Sequence, residues 1–194
     1  MFKTALKQRH LNYIEIKMRG LKVKLSAKEI CIFGLLGALM YAAKALMAVV
    51  PNVHFVGVFV VAITCVYRKK ALYPIYIFVL IVGLLDGFGT WWLPYLYIWL
   101  PLWLGAMFLP QNTKKKVNML PGMLVCSLHG FLFGVLYAPA QALLFGLDFE
   151  GMVAWIIAGL PFDIAHGIGN FFGGILIYPI ISILKQAEKK GKIQ

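Results

Sequence analysis

Apolar residues run in long stretches along the chain, and polar residues gather between them. A helix needs about 20 apolar residues to cross a bilayer, and six stretches come near that length. They cover residues 27–50, 53–67, 71–88, 91–109, 120–145 and 161–184. A shorter apolar stretch at 151–159 predicts a short helix at the outer interface. The pattern predicts an all-α integral membrane protein with six transmembrane helices.

The start of the first predicted helix carries a local signal. The segment SAKE places Ser26 three residues before Glu29. Each of these side chains can accept a hydrogen bond from the backbone N–H of the other, which is the capping-box pattern. We therefore expect the helix to begin directly after Ser26.

The composition excludes an ordinary soluble domain. Hydrophobic residues make up 61% of the 194 residues and charged residues 13%, whereas a soluble domain is about half apolar and a quarter charged. Cys31, Cys65 and Cys126 are widely spaced and match no metal or disulfide pattern. No phosphate-binding GxxxxGK[ST] segment, HExxH or GxSxG motif occurs in the sequence. We therefore expect no metal, no cofactor and no enzymatic activity.

Basic residues cluster outside the apolar stretches. All of the 19 lysines and arginines except Lys44 fall within residues 1–28, 68–70, 114–116 and 185–192. With six crossings these regions lie on one side, which the positive-inside rule makes the cytoplasm. Both termini are then cytoplasmic, and the net charge of +12 reflects topology rather than nucleic-acid binding.

These features predict three parts of the chain. Residues 1–26 form a basic cytoplasmic leader, residues 27–186 form the six-helix transmembrane domain, and residues 187–194 form a basic cytoplasmic tail.

Three polar residues interrupt the last apolar stretch. Asp163, His166 and Asn170 are spaced i, i+3 and i+7, so they share one face of a helix over two turns. Because polar groups are costly against lipid, we expect this face to point to the interior of the bundle or to a watery cavity. Interhelical hydrogen bonding explains Asn170 alone equally well, whereas the three together favour a ligand site.

An acid followed by aromatic residues marks the outer end of the third predicted helix. Asp86 precedes Trp91, Trp92 and Tyr95. An aromatic belt at the interface accounts for part of this group, but not for the acid or the density of the cluster. Aromatic faces beside carboxylates suit a flat, partly cationic, nitrogen-rich ligand. Lys44 is either a snorkelling lysine or a counter-charge for Asp86.

Two further regions add candidates for the same site. Tyr137 and Gln141 lie near the outer end of the fifth predicted helix, and His54 lies in the first outer loop, where it can close over a ligand. His129 lies near mid-membrane and is interpreted as a satisfied core residue.

The chain resembles the substrate-binding S components of energy-coupling factor (ECF) transporters. The likeness rests on six short spans with both termini inside, AxxxA spacing of Ala38 and Ala42 on the first helix, and the lack of an ATPase motif. The segments LPYLYIW (93–99) and PFDIAHGIGN (161–170) look similar to bacterial members. The resemblance covers about residues 27–186.

The resemblance implies a function in the bacterial plasma membrane. Such a subunit would capture a vitamin or its precursor from outside, dock on a shared transmembrane subunit with two ATPases, and topple to release the ligand inside. The family's AxxxA surface contacts the shared subunit. In the thiamine-binding branch an acid, a histidine, an asparagine and aromatics hold the ligand; Asp86, His129 or His166, and Asn170 are of these types. The acidic outer rim favours thiamine, its hydroxymethylpyrimidine precursor or a pyridoxine-like compound.

Two other functions remain open. A stand-alone secondary transporter would need no ATPases, although six spans without an internal repeat argue against it. An intramembrane enzyme would use Asp163 and His166 as an acid–base pair, although neither a nucleophile nor a metal triad accompanies them. Tight binding of an unchanged small molecule argues against the enzyme, and uptake that persists without the ATPases argues for the secondary transporter.

Overall fold

The regular elements of the described chain are helices. The structure is a computed structural model that describes residues 25–49, 55–109 and 119–190. Its α-helices are α1 (Ala27–Leu46), α2 (Val56–Tyr67), α3 (Leu72–Asp86), α4 (Tyr95–Met107), α5 (Leu120–Phe131), α6 (Phe133–Phe145), α7 (Phe149–Gly173) and α8 (Ile177–Lys190). Short 3-10 turns cover Met47–Val49, Arg68–Ala71, Thr90–Trp92 and Gly174–Leu176. The predicted all-α fold is confirmed for these residues.

The chain divides into two compact units, Met1–Ile32 and Phe33–Gln194. In the first unit the predicted capping box is confirmed. The Ser26 N–H donates to the Glu29 carboxylate at 2.9 Å, and the Glu29 N–H donates to the Ser26 hydroxyl oxygen at 3.2 Å. Most of the predicted leader and the end of the predicted tail lie outside the described residues.

Three helical stretches of the described chain are long and apolar enough to cross a membrane. They are Ala27–Val49 with 23 residues, Leu120–Phe145 with 26 and Phe149–Lys189 with 41. The helices of the other predicted spans are shorter, with 12 residues in α2, 15 in α3 and 13 in α4. At 1.5 Å per residue these cover roughly 18 to 23 Å, less than the ~30 Å hydrocarbon core. Six crossings therefore stay a prediction.

Three helix boundaries differ from the predicted ones. The sixth predicted helix, 161–184, is divided by the 3-10 turn Gly174–Leu176 between α7 and α8. The fifth predicted helix is divided at Leu132 into α5 and α6. The short helix predicted at 151–159 is instead the first part of α7, which continues through Pro161. A proline removes only its own N–H from the helix, and apolar helices tolerate that loss where neighbours satisfy the backbone. The boundary predicted at Pro161 is therefore wrong.

Helix α2 lies at the centre of the second unit. It packs against α4, α5 and α8, and all of residues 56–64 except Phe59 are buried. Its Thr64 hydroxyl is satisfied by a carbonyl in the preceding turn at 2.6 Å. Helices α5 and α7 approach closely, since a Cβ on Gly130 would lie 2.8 Å from Cα of Gly167. This close packing brings the polar residues of α7 against α5 and α6.

Candidate functional site

The polar residues of α7 lie on one buried face. Asp163, His166 and Asn170 are each no more than 6% exposed. Helix α7 packs against α5 and α6, and the side-chain hydrogen bonds described below go to those two helices. The prediction that this face points to the interior of the helix bundle is confirmed.

The Asp163 carboxylate binds the start of α6. The Gly134 N–H lies 3.0 Å from each of its two oxygens. Gly134 is the second residue of α6, where backbone N–H groups have no intrahelical acceptor and the positive end of the helix dipole favours a negative charge. A side chain at Gly134 would collide with the carboxylate. Asp163 therefore caps α6 from a neighbouring helix.

Asn170 lies where α7 approaches α2 and α5. Its Nδ2 donates to the Cys126 carbonyl at 3.2 Å, and a Cβ on Gly57 or Gly130 would lie 3.5 or 2.9 Å from the same nitrogen. Its Oδ1 is buried and has no hydrogen-bond partner among the described residues. A buried acceptor left unpaired costs about 1–3 kcal/mol, so this oxygen has capacity for a further donor.

His129 carries a second buried acceptor. Its Nε2 lies 2.8 Å from the Ile98 carbonyl oxygen. Because a carbonyl only accepts, Nε2 holds the proton of the neutral ring and Nδ1 is an acceptor. This Nδ1 is buried without a partner in the described part of the chain, while the ring stacks on Trp99 at 5.7 Å between centroids. The interpretation of His129 as a satisfied core residue is therefore wrong for one of its two nitrogens.

Aromatic rings connect α4 with α6 and α7 in a continuous chain of contacts, which we call the ring cluster. Its members are Trp91, Tyr95, Trp99, His129, Phe133, Tyr137, Trp155 and His166. Neighbouring centroids lie 4.8–6.2 Å apart. Trp91 is 36% exposed and Trp99 only 2%, so the ring cluster leads from the surface to the buried acceptor of His129.

The exposed end of the ring cluster is held by the turn Thr90–Trp92. The Tyr137 hydroxyl donates to the Trp91 carbonyl, and the Tyr137 ring stacks on Trp155 at 6.0 Å with an interplanar angle of 15°. Gln141, one turn further along α6, is partly exposed. This end of the cluster thus joins α6 and α7 to the turn that precedes α4.

Trp92 has a different environment from Trp91. Its Nε1 donates to the Val79 carbonyl at 2.8 Å, and its ring packs edge-on against Phe88 at 4.9 Å between centroids. These contacts fasten the turn to α3. Of the two adjacent tryptophans predicted to bind a ligand, the structure brings Trp91 into the ring cluster and directs Trp92 to α3.

Asp86 is paired with α1. Its Oδ2 lies 2.7 Å from Lys44 Nζ, and its Oδ1 accepts from the Tyr41 hydroxyl at 2.7 Å. The sequence leaves two alternatives for Lys44, a snorkelling lysine or a counter-charge for Asp86. The structure shows the counter-charge. The partnership neutralises much of the attraction that Asp86 would exert on a cationic ligand.

Three predicted residues remain. His54 is outside the described residues. Ala38 and Ala42 are both exposed on α1, one turn apart, so the small-residue surface is available for contact. Neither alanine belongs to the ring cluster.

Sequence reasoning did not predict Gly134, Trp99 or Trp155 as parts of the site. Trp99 has a detectable signal, because Trp91, Tyr95 and Trp99 are spaced by four residues and share a helix face. Gly134 contacts Asp163 through its backbone N–H, and Trp155 lies on a helix that is longer than the predicted one. Neither residue therefore has a sequence signal of its own.

Comparisons with family models, curated proteins and solved structures give no match for this chain. The chemistry of the site is therefore read from its own residues. They offer aromatic faces for stacking and two buried acceptors, His129 Nδ1 and Asn170 Oδ1. Such a set suits a small flat molecule that presents N–H donors.

Proposed function

We propose that this protein is a membrane-embedded binding subunit, of the S-component type, for uptake of a vitamin or vitamin precursor across the bacterial plasma membrane. The observation that carries the proposal is that two buried acceptors have no described partner: His129 Nδ1 at the deep end of the ring cluster, and Asn170 Oδ1 where α7 approaches α2 and α5. Leaving such atoms unpaired is costly, and a bound solute with N–H donors removes the cost. The aminopyrimidine ring of thiamine and of its hydroxymethylpyrimidine precursor has such donors.

The ring cluster supports the same ligand class. Trp91, Tyr95 and Tyr137 are at least partly exposed, and an aromatic pair adds about 0.5–1.5 kcal/mol beyond the area that it buries. In this proposal these rings hold the flat solute, and His166, packed at 4.8 Å against Phe133, forms part of the wall. Asp163 acts by positioning α6.

Six crossings with cytoplasmic termini are part of the proposal. The basic residues sort to one side only with an even number of spans. The turn Thr90–Trp92 precedes α4, so the chain from 90 to 107 approaches the length of a span. This length supports the crossing that contains α4.

Partner subunits supply the energy in this proposal. The chain has no phosphate-binding loop of its own, so two ATPases and a shared transmembrane subunit would drive release of the solute. Ala38 and Ala42 are exposed and small enough to let another helix approach closely. We propose this surface of α1 as the contact with the shared subunit.

Binding of a panel of small aromatic vitamins tests the proposal. Purified protein is incubated with thiamine, hydroxymethylpyrimidine and pyridoxine, retained compounds are identified by native mass spectrometry, and affinity is measured by tryptophan quenching. Asn170→Leu keeps the approximate volume of the side chain and removes the acceptor, together with the Nδ2 donor to the Cys126 carbonyl. We expect it to weaken binding of the retained compound by tenfold or more, which corresponds to about 1.4 kcal/mol.

Ser127→Ala is the matched control. Ser127, on α5, is buried like Asn170, but its hydroxyl already donates to the Gly167 carbonyl at 2.9 Å. We expect this variant to keep the affinity of the unaltered protein. Equal affinity of Asn170→Leu and the unaltered protein, or retention of no compound from the panel, would contradict the proposed site. Release of a chemically altered compound would indicate an enzyme instead.

A further inference from the structure

A groove with a volume of about 280 Å³ runs along one face of α8. The residues that line it are Tyr178, Ile181, Ser182, Lys185, Gln186 and Lys189. Their spacing of three and four residues places them on one face over three turns. The groove changes along the helix from aromatic and aliphatic at Tyr178 and Ile181 to basic at Lys185 and Lys189.

The basic end of the groove has unused hydrogen-bond donors. Neither Lys185 nor Lys189 is paired with a carboxylate among the described residues, and Glu188, the acid of α8, does not line the groove. The Ser182 hydroxyl oxygen accepts from Gln186 Nε2 at 3.4 Å, which leaves its own proton free to donate. Two ammonium groups and a hydroxyl therefore surround a space without a counter-charge.

A third cation lies at the same end of the bundle. Helices α2 and α8 pack together, and both Arg68 and Lys185 lie near Cys65 at the end of α2. Arg68 uses one guanidinium nitrogen to donate to the Met107 carbonyl. Its other nitrogen, Nη1, is buried without a partner in the described ranges. The positive field at this end thus comes from two helices.

We propose that the groove binds an anionic phospholipid, with the phosphate at Lys185 and Lys189 and an acyl chain along Ile181 and Tyr178. Ammonium groups bind phosphate as point charges, and basic residues beside a membrane helix attract anionic lipid. From residue 178 to 189 the helix rises roughly 16 Å, so one groove contacts both the headgroup and the upper acyl chain. Free phosphate would leave the apolar half unfilled, which favours the lipid. This site is separate from the ring cluster.

Lipid retention tests the assignment. The full chain is reconstituted in nanodiscs of phosphatidylcholine and phosphatidylglycerol at equal amounts, and native mass spectrometry counts the lipids that remain bound. We expect retained phosphatidylglycerol to exceed phosphatidylcholine, and Lys185→Gln/Lys189→Gln to lower that ratio about tenfold. Inorganic phosphate at millimolar concentration is expected to leave the ratio unchanged.

Lys28→Gln/Lys69→Gln is the matched control, because it removes the same two charges from exposed positions outside the groove. We expect it to keep the ratio of the unaltered protein. If the two double variants retain equal phosphatidylglycerol, the groove is not the site, and if inorganic phosphate displaces the lipid, the ligand is a free anion. If Lys185→Gln/Lys189→Gln does not fold, Ser182→Ala takes its place in the test. We expect Ser182→Ala to lower the ratio of retained phosphatidylglycerol to phosphatidylcholine by two- to threefold, and an unchanged ratio overturns the proposal.

Discussion

Removal of the Asp163 carboxylate is expected to destabilise the protein through the start of α6. In Asp163→Ala the Gly134 N–H, which lies 3.0 Å from both carboxylate oxygens, loses its acceptor. An unpaired buried donor costs about 1–3 kcal/mol, and a charge at a partly buried helix terminus contributes up to ~2 kcal/mol. Interhelical hydrogen bonds in membranes average only ~0.6 kcal/mol, which limits the total. We therefore expect a loss of about 2 kcal/mol in the free energy of unfolding.

A second substitution isolates the contact. Gly134→Ala would place a methyl group against the Asp163 carboxylate, and overpacking of this kind costs about 1–3 kcal/mol. Asp163→Ala vacates that space, and alanine favours a helix over glycine by about 1 kcal/mol. We expect Gly134→Ala to be nearly neutral in the Asp163→Ala background. The double-mutant cycle should then give a coupling energy of at least about 1 kcal/mol.

The measurement is reversible unfolding in mixed micelles with increasing dodecyl sulfate, followed by circular dichroism. Glu150→Ala serves as the control, because Glu150 is an exposed acid in the first turn of α7. An Asp163→Ala protein within about 0.5 kcal/mol of the unaltered one, or additive effects of the two substitutions, would refute the role of Asp163 as a cap for α6.

Two further substitutions test the packing and the ion pair in the same assay. Gly130→Ala would bring a methyl group within 2.8 Å of Gly167 Cα, and we expect it to lower the free energy of unfolding by about 2 kcal/mol. Gly34→Ala is the control, because a Cβ there meets no atom within 4 Å, and it should be neutral or stabilising. Equal effects of the two substitutions would contradict the close approach of α5 and α7. Lys44→Met should cost less than about 1 kcal/mol, because the ion pair with Asp86 is partly exposed. The swapped pair Lys44→Asp/Asp86→Lys should recover most of that loss, and no recovery would show that the two charges are not coupled.

Local signals predicted the helix ends that depend on neighbouring residues. Ser26 and Glu29 bond within one turn. The apolar stretch predicted to end at residue 145 does end there, where Gly146 has a φ of 66°, a left-handed conformation that glycine adopts without strain. The boundary at Leu132 and the continuation of α7 through Pro161 could not be predicted in this way. The start of α6 at Phe133 is capped by Asp163 from α7, a residue distant along the chain.

Part of the candidate site could be predicted because it depends on residues within one helix. The spacing of Asp163, His166 and Asn170 predicted a shared buried face, because helical periodicity and the cost of polar groups in lipid act on a single helix. Which of their atoms are satisfied could not be predicted. Asn170 Oδ1 lacks a described partner, whereas its amide nitrogen reaches the carbonyl of Cys126, 44 residues away in the chain.

The sequence by itself determined that this chain is helical and apolar, and that the polar face of α7 is turned inward. Periodicity and transfer free energy are properties of each segment, so they need no knowledge of the other helices. Tertiary structure alone decided that Asp163 caps α6, that Asp86 meets Lys44 across 42 residues, and that His129 keeps an unpaired acceptor beside stacked rings. Those outcomes depend on which helix faces meet, and that choice is made by packing between segments far apart in the chain.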